Sequence, residues 1–314
     1  MFFYEGREER NWCVNCVFKP WIEPFYPPMN QDALKQLIES ALQEDIGEGD
    51  HSTLACIPAT ARGKAVLKIK EAGVLAGMEV AEKIFQFKDP EVVFTPFLKD
   101  GQPMEMGQIA FEVESFVPAI LQCERLVLNC MQRMCGIATL TQTYVQKLQG
   151  THTRLLDTRK TTPNFRLLEK EAVCIGGGLN HRFGLYDLIM LKDNHIDFCG
   201  GIEKAIEQTW HYVQRVKPEL KIEVEARSLE DVKKIISIGQ GKVFRIMLDN
   251  FTPDALKQAV MMIKLASGFE TEASGGINLD NINSFAQSGV DFISVGALIH
   301  QARSVDLSLK AIDF

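Results

Sequence analysis

The chain has 314 residues, of which 46% are hydrophobic and 24% are charged, so it can form one large or two medium domains with real apolar cores. Its formal net charge of −7 argues against a nucleic-acid partner, because general nucleic-acid binders usually carry a basic excess. The chain has no apolar run long enough to span a bilayer and no secretory signal at its start, so we expect no membrane partner and a cytoplasmic location.

The first residues show neither helical nor strand periodicity and are rich in aromatic residues and proline. We therefore interpret residues 1–28 as an appendage of unknown role. Within it, Cys13 and Cys16 have the spacing of half a zinc site, but no second pair completes four ligands. The scattered cysteines of the chain are expected to be reduced thiols rather than a disulfide framework.

The next part of the chain predicts a mixed α+β unit. Apolar residues recur at three- and four-residue steps from Gln31, which predicts a helix. Short strand-like segments and turns follow in residues 61–113. A long apolar helix is then predicted from about Pro118 to Met134, with Ser115 as its N-cap.

From Thr151 onward the pattern changes to a βα repeat. Six apolar segments, spaced 22 to 35 residues apart, each end in a polar or small residue: Asp157, Lys192, Glu225, Asp249, Ser274 and Gly296. Such a repeat predicts a parallel sheet that closes or nearly closes into a barrel. Because barrel enzymes place their active sites at the carboxyl ends of the strands, these residues are the first candidates for function.

Charge is unevenly placed along this second part. Between Arg154 and Lys192 there are seven Lys and Arg residues against four acids, which predicts a site for an anionic small molecule. A solvated charged surface explains the same count at least as well.

The last two strands end in "SGGI" and "VGAL", where glycines would let backbone N–H groups approach a phosphate. We favour phosphate binding there over a purely structural turn.

Two acids and one histidine complete the candidate site. Glu225 and Asp249 could bind ribose hydroxyls or Mg²⁺, or could simply neutralise Lys160 and Lys192 as ion pairs. His181 follows three glycines and precedes an arginine, which favours anion binding over the more usual structural role of a lone histidine. Together these residues suit a ligand with phosphates, a sugar and one or more carboxylates.

A family resemblance rests on several segments. "LLDTRKTTPNFRLLEKEAVCIGGGLNHRFGLYDLIMLKDNHI" resembles the signature block of the quinolinate phosphoribosyltransferase family. "IEVEARSLED", "IMLDNF", "EASGGIN" and "VGALIH" are similar to its later strands, and "ALQEDIGEGDHST" and "CERLVLNCMQRMCGIATLT" to its N-terminal domain. The resemblance covers residue 31 to the C-terminus. Local departures from the family pattern are Asn164-Phe165, Glu171 and Cys135, and Asn164 could alter the loop over the site.

The resemblance implies an α/β fold of two domains. Residues 29–140 would form an N-terminal α/β sandwich joined by a C-terminal helix over residues 300–314. Residues 141–299 would form an open, incomplete α/β barrel of the TIM-like type. The family works as a homodimer or a higher homo-oligomer with shared active sites.

The implied activity is that of a decarboxylating glycosyltransferase in NAD biosynthesis. It transfers phosphoribose from 5-phosphoribosyl-1-pyrophosphate (PRPP) to quinolinate and requires Mg²⁺, giving nicotinate mononucleotide, pyrophosphate and CO₂. Two alternatives stay open: a phosphoribosyltransferase for another pyridine or related acid, and a non-catalytic nucleotide-binding barrel.

Site roles follow from the resemblance, residue by residue. The carboxylates of quinolinate would be bound by Arg125, Arg159, His181, Arg182 and Lys192. PRPP and its phosphates would be bound by Thr158, Lys160, Ser274, Gly275, Gly296 and His300. The catalytic residues would be Lys160, Lys192, Glu225 and Asp249. Of these, Glu225 and Asp249 would hold Mg²⁺, directly or through water.

Overall fold

The computed structural model describes residues 29–312, so the interpretation of residues 1–28, with Cys13 and Cys16, concerns residues outside the described chain. In chain order, its first part contains α1 (Gln31–Ile46), α2 (His51–Cys56), β1 (Arg62–Ile69), β2 (Gly73–Val74), α3 (Met78–Lys88), β3 (Val93–Pro96), β4 (Pro103–Met104), β5 (Ile109–Phe116) and α4 (Val117–Lys147). Its second part contains β6 (Arg154–Leu156), α5 (Arg166–Ile175), β7 (Ile189–Leu191), α6 (Asp193–Cys199), α7 (Ile202–Val216), β8 (Ile222–Ala226), α8 (Leu229–Gly239), β9 (Arg245–Asp249), α9 (Pro253–Ala266), β10 (Glu270–Ser274), α10 (Ile282–Ala286), β11 (Phe292–Ser294), α11 (Ala297–His300) and β12 (Leu307–Ile312).

The N-terminal unit is built on a four-stranded antiparallel sheet with the order β12-β1-β5-β3. Helix α1 begins where the side chain of Asn30 accepts the backbone N–H groups of Asp32 and Ala33, which caps the helix. Its apolar stripe buries Leu34 and Ile38 in the core. The helix predicted from Gln31 is therefore present.

The C-terminal segment joins this unit as a strand rather than as a helix. Residues 300–314 were expected to be helical, but β12 pairs antiparallel with β1, with Leu309 opposite Leu67. Leu307 and Leu309 are buried while Ser308 between them is half-buried, which is the alternation of a strand at a sheet edge. The prediction of a C-terminal helix is therefore wrong.

Helix α4 is longer than the sequence suggested and connects the two units. Ser115 does not cap it, because its hydroxyl donates to Asp89 Oδ2 at 2.6 Å within the N-terminal unit. The helix continues beyond Met134 to Lys147 and packs against both α3 and α5. Gly136 lies inside it because a Cβ there would stand 1.9 Å from the carbonyl oxygen of Arg303.

The second unit is a six-stranded parallel sheet with the order β6-β11-β10-β9-β8-β7. Strands β6 and β7 are the two ends of this order and do not pair, so the barrel is open between them. A single parallel bridge from Leu156 to Leu179 covers part of the edge of β6. The predicted fold, an N-terminal domain followed by an open α/β barrel, is confirmed.

Apolar side chains of both units join in one core, which includes Val127 and Met131 of α4. In residues 29–312, no helix combines the length and apolar character that crossing a membrane requires.

Candidate active site

The polar residues predicted at the strand ends lie at one edge of the barrel sheet. Asp249 and Ser274 are directly opposite each other where β9 and β10 end. On the neighbouring pair of strands, Glu225 of β8 lies opposite Met247 of β9, one residue before β8 ends. Because the strands are parallel, their carboxyl ends form a single face.

Lys192, Glu225 and Asp249 form one side of this face. Lys192 Nζ lies 3.8 Å from Glu225 Oε2, and the lysine side chain is 48% exposed while that of the glutamate is 7% exposed. Burial, and then the charge of Asp249, raises the pKa of Glu225, while Lys192 opposes this shift. The two carboxylates therefore repel each other and are only partly compensated by one lysine. Their oxygen atoms fit a hard divalent cation such as Mg²⁺, which would relieve that repulsion.

Lys160, Gly296 and His300 form another side. A Cβ at Gly296 would lie 2.8 Å from Lys160 Cδ and 3.3 Å from two ring atoms of His300, so glycine permits both side chains to approach. The hydroxyl of Thr158 accepts the backbone N–H of Lys160 at 3.1 Å, which shapes the turn after β6. A cavity of about 490 Å³ opens here, lined by Arg133, Lys160, Thr161, Thr162, Pro163, Ile299 and His300.

The turn after β10 contains Gly275, whose φ of +93° favours glycine. A Cβ at this position would also lie 2.2 Å from Asn250 Oδ1. The backbone N–H of Asn250 donates to the carbonyl of Ser274 at 2.9 Å. This tight turn accounts for Gly275 by itself, and phosphate binding by Ser274 and Gly275 stays a prediction.

The predicted quinolinate-binding arginines differ in environment. Arg125 is exposed on α4, and Arg159 is exposed in the turn after β6. Arg182 is buried, and its Nη1 donates to the carbonyl of Leu188 at 3.2 Å. The described structure therefore leaves Arg125 and Arg159 accessible to a ligand and anchors Arg182 in the protein.

The ring of His181 is enclosed by protein groups. Its Nδ1 accepts the backbone N–H of Arg182 at 2.7 Å. Its Nε2 lies 3.1 Å from Glu223 Oε2 and 3.3 Å from Glu272 Oε2, and both glutamates are fully buried. Direct contact of His181 with a substrate carboxylate stays a prediction, and in this arrangement neither ring nitrogen points to open space.

The protonation of this cluster follows from its geometry. Burial lowers the pKa of His181, but the charges of Glu272 and Glu223 outweigh it and raise that pKa to about 10. Burial also raises the pKa of Glu223. These directions place a retained proton in the cluster formed by His181 and Glu223 at neutral pH.

Glu272 is the ionised member of the cluster. Its burial is outweighed by His181 and Arg245, which lower its pKa to about 2. Arg245 Nη1 donates to Glu272 Oε2 at 2.9 Å, and its Nη2 donates to Glu270 Oε2 at 2.8 Å. His181, Glu223 and Glu272 bring ligand atoms within 4.8 Å of one another. The retained proton and the adjacent guanidinium of Arg245 nevertheless make this a proton-holding cluster rather than a metal site.

A buried ion pair between Lys170 and Asp157 holds the backbone at His181. Lys170 donates to Asp157 Oδ1 and also to the carbonyl of His181, the latter at 3.0 Å. The backbone N–H of His181 donates to Asp157 Oδ1 at 2.8 Å. Burial raises the pKa of Asp157 to about 6 although the charge of Lys170 opposes it. Asp157 thus positions the chain at His181 and does not face a ligand.

Sequence reasoning missed Glu223, Glu272 and Arg245. The signal that could have found them is strand parity, because residues two apart on a strand share a face. Glu223 shares a face with Glu225, Arg245 with Asp249, and Glu272 with Ser274. The partners of His181 are Glu223 and Glu272, which lie two residues before Glu225 and Ser274 on the same strands.

The fold and the site define a barrel protein whose strand ends are suited to an anionic ligand. The family model described as quinolinate phosphoribosyl transferase, C-terminal domain, matches residues 137–310, and the corresponding N-terminal domain model matches residues 50–135. The chain therefore belongs to the quinolinate phosphoribosyltransferase family.

Individual relatives agree with the family models. A protein of Arabidopsis thaliana named nicotinate-nucleotide pyrophosphorylase [carboxylating], chloroplastic, is 40% identical over 95% of this chain and 86% of its own length. A protein of Nicotiana tabacum named quinolinate phosphoribosyltransferase [decarboxylating] 2b, mitochondrial, is 39% identical over 93% of this chain and 84% of its own length. The crystal structure of NadC from Streptococcus pyogenes superposes with a TM-score of 0.83 at 39% identity, covering 92% of this chain and all of that one.

Proposed function

We propose that this protein transfers phosphoribose from PRPP to quinolinate with decarboxylation, giving nicotinate mononucleotide, pyrophosphate and CO₂ for NAD biosynthesis. The observation that carries this proposal is the arrangement of the barrel face in a member of this family. Lys160 and Lys192 supply positive charge on that face, and Glu225 and Asp249 supply a pair of carboxylates beside it. The anionic groups of such a ligand would pair with the lysines, and the hydroxyls of its sugar would donate hydrogen bonds to the carboxylates.

The donor fits the side formed by Lys160, Gly296 and His300. Its phosphates are anionic, and the cavity of about 490 Å³ there is lined by Lys160, His300 and two threonines. The ribose hydroxyls would then reach Glu225 and Asp249, which accept hydrogen bonds when ionised.

The acceptor fits the side formed by Lys192 and the exposed Arg159. Quinolinate carries two carboxylates, and Arg125, Arg182 and His181 would complete their binding. An acid with only one carboxylate would make fewer charge-assisted hydrogen bonds to this cationic set and should therefore bind more weakly. This argues against the alternative of a different pyridine acid.

The reaction requires two bond-breaking steps. The ring nitrogen of quinolinate forms a bond to the ribose C1 while the bond from C1 to the pyrophosphate oxygen breaks, and pyrophosphate leaves with the electron pair. Lys160 would stabilise the charge that grows on the leaving oxygens. The bond from the ring carbon to the adjacent carboxylate then breaks, CO₂ leaves, and the electron pair on the ring carbon takes a proton from solvent. The other carboxylate stays bound to the arginines, so only one is lost.

Mg²⁺ is part of the proposal. Glu225 and Asp249 would hold it, directly or through water, and when bound it would neutralise charge on the pyrophosphate.

We also propose a homodimer, or a larger assembly of such dimers, in which Arg125 enters the partner's active site. The cytoplasmic location stays a prediction from the sequence, since the Arabidopsis relative is named chloroplastic and the tobacco relative mitochondrial.

The test is a turnover assay with matched acceptors. Purified protein, PRPP and Mg²⁺ are incubated with quinolinate or with nicotinate, which has the same ring and one carboxylate fewer. We expect nicotinate mononucleotide and CO₂ to form from quinolinate, with far slower product formation from nicotinate. Comparable turnover with both acids would contradict the decarboxylating assignment, and no turnover with either would favour the non-catalytic barrel.

A further inference from the structure

Arg133 connects the two units of the protein directly beside the cavity at Lys160. It lies on α4, and its Nε and Nη2 donate to Glu169 Oε1 on α5 at 3.0 and 2.8 Å. Its Nη1 also donates to the carbonyl of Ala302 at 2.6 Å, and Nη2 donates to the carbonyl of Ile299 at 2.7 Å. Most of its N–H donors thus point at protein acceptors, so Arg133 is not placed as a free cation for a ligand.

Glu169 extends this connection to the turn that follows β6. Its side chain is fully buried. Its Oε2 accepts the backbone N–H of Thr162 at 2.8 Å, and its Oε1 accepts the hydroxyl of Thr162 at 2.9 Å. One ion pair therefore joins α4, α5, the turn after β6 and the end of α11.

The joined segments carry Lys160 and His300, the two residues of the donor side. Thr162 is two residues beyond Lys160, and Ile299 directly precedes His300. The cavity at Lys160 is lined by Arg133, Thr162, Ile299 and His300 as well. The spacing between Lys160 and His300 is tight at Gly296, so a small shift of either segment changes how both side chains meet an anion.

We propose that Arg133 and Glu169 are a positioning pair that sets the spacing of Lys160 and His300 around the phosphate groups of the donor. This inference rests on the proposed function and names two residues that act through others. If the pair only held the two units together, its loss would weaken the binding of the donor and of the acceptor equally. A pair that positions Lys160 and His300 affects the donor most, because Arg159 is the one predicted acceptor residue that shares the turn after β6 with Lys160.

Arg133→Lys tests the proposal, because lysine keeps the charge but cannot make the forked contacts to Glu169 and to the two carbonyls. We expect the KM for PRPP to rise about tenfold or more, while the dissociation constant of quinolinate changes less than about twofold. The matched control is Arg303→Lys, whose guanidinium also pairs with a carboxylate, that of Glu71, but away from the cavity. We expect the control to change neither constant.

Thr162→Ala is a milder test that does not disturb the ion pair. It removes one hydroxyl contact to Glu169 from an exposed residue, so the protein is expected to fold. We expect a smaller rise in the KM for PRPP, about two- to threefold, and its recovery in Thr162→Ser. An unchanged KM for PRPP in both Thr162→Ala and Arg133→Lys, or a parallel loss for donor and acceptor, would overturn the proposal.

Pyrophosphate binding separates this inference from the proposed reaction. Calorimetric titration of the wild-type protein and of Arg133→Lys with pyrophosphate and Mg²⁺ needs no acceptor and no turnover. If quinolinate proved not to be the substrate, weaker pyrophosphate binding by Arg133→Lys would still support the positioning pair. Equal pyrophosphate affinity in the two proteins would contradict it, whatever the acceptor.

Discussion

His181 Nε2 lies 3.1 Å from Glu223 Oε2 within the barrel, and both side chains are withdrawn from solvent. A histidine in an apolar core would lose its charge, whereas here the carboxylates reverse that tendency and raise its pKa to about 10. The cluster therefore retains a proton that the unfolded chain would release. Folding and proton uptake are linked through this one contact.

This linkage predicts how stability depends on pH. A histidine whose folded pKa is raised from 6.5 to about 10 stabilises the fold fully below pH 6.5 and loses that contribution as pH rises through 10. The free energy of unfolding should then fall between pH 7 and pH 10, by at most about 1.4 kcal/mol per pH unit from this proton. Urea unfolding curves at several pH values measure it.

The variant for this test is Glu223→Gln, which removes one carboxylate beside His181 and should flatten the dependence of unfolding free energy on pH. His211→Gln is the control, because His211 is exposed on α7 and should leave the slope unchanged. Identical slopes for the wild-type protein and Glu223→Gln would show that the cluster does not hold the proton.

Asp249→Asn tests whether the acid pair serves the donor or only forms structural ion pairs. We expect a normally folded protein with its melting temperature little changed, and a loss of turnover of at least about a hundredfold across a Mg²⁺ titration. Asp254→Asn is the control, since Asp254 is an exposed acid in the first turn of α9. Near-normal turnover of Asp249→Asn would favour the structural alternative.

Gly296→Ala tests the close approach of Lys160 and His300. Gly296 has a φ of −67°, which any residue adopts, so an added methyl group acts only through its contacts. That group would meet Lys160 Cδ at 2.8 Å and displace it. We expect the KM for PRPP to rise about tenfold with little change in melting temperature. A KM within error of the wild-type value would mean that the position of Lys160 is not critical for the donor.

The sequence predicted the barrel well because each strand carries its own signal. An apolar segment ending in a polar residue, followed by a helical pattern, identifies β8 and α8 without any distant information. Strand β12 has no such signal, since only Leu307 and Leu309 are buried and its pairing partner β1 lies more than two hundred residues earlier. The extension of α4 beyond Met134 likewise depends on tertiary packing, because Gly136 allows the close approach of the Arg303 carbonyl.

The residues of the candidate site likewise divide into those that the sequence alone could predict and those that it could not. Residues at strand ends, such as Glu225 and Asp249, could be predicted because parallel strands place their carboxyl ends together. The pairing of Arg133 with Glu169 could not, because it joins helices whose relative position depends on tertiary packing. The environment of His181 likewise depends on strands that lie 42 and 91 residues further along the chain, at Glu223 and Glu272.

Arg125 provides the test of a shared active site. It is exposed on α4, outside the strand ends that carry the other predicted residues. In a two-fold dimer with shared sites, Arg125→Ala and Lys192→Ala would each damage every site and be nearly inactive alone. A mixed dimer would collect both defects in one site and leave the other intact.

Random reassortment makes half of the dimers mixed, so about a quarter of the sites become intact and measurable turnover should return. The matched control mixes Lys192→Ala with Asp249→Ala, whose defects both lie on the barrel face. Each barrel in that mixed dimer keeps one defect, so no turnover should return. Subunit exchange is verified separately with tagged chains. If exchange is complete and the Arg125→Ala mixture stays at the activity of the single variants, Arg125 acts within its own chain.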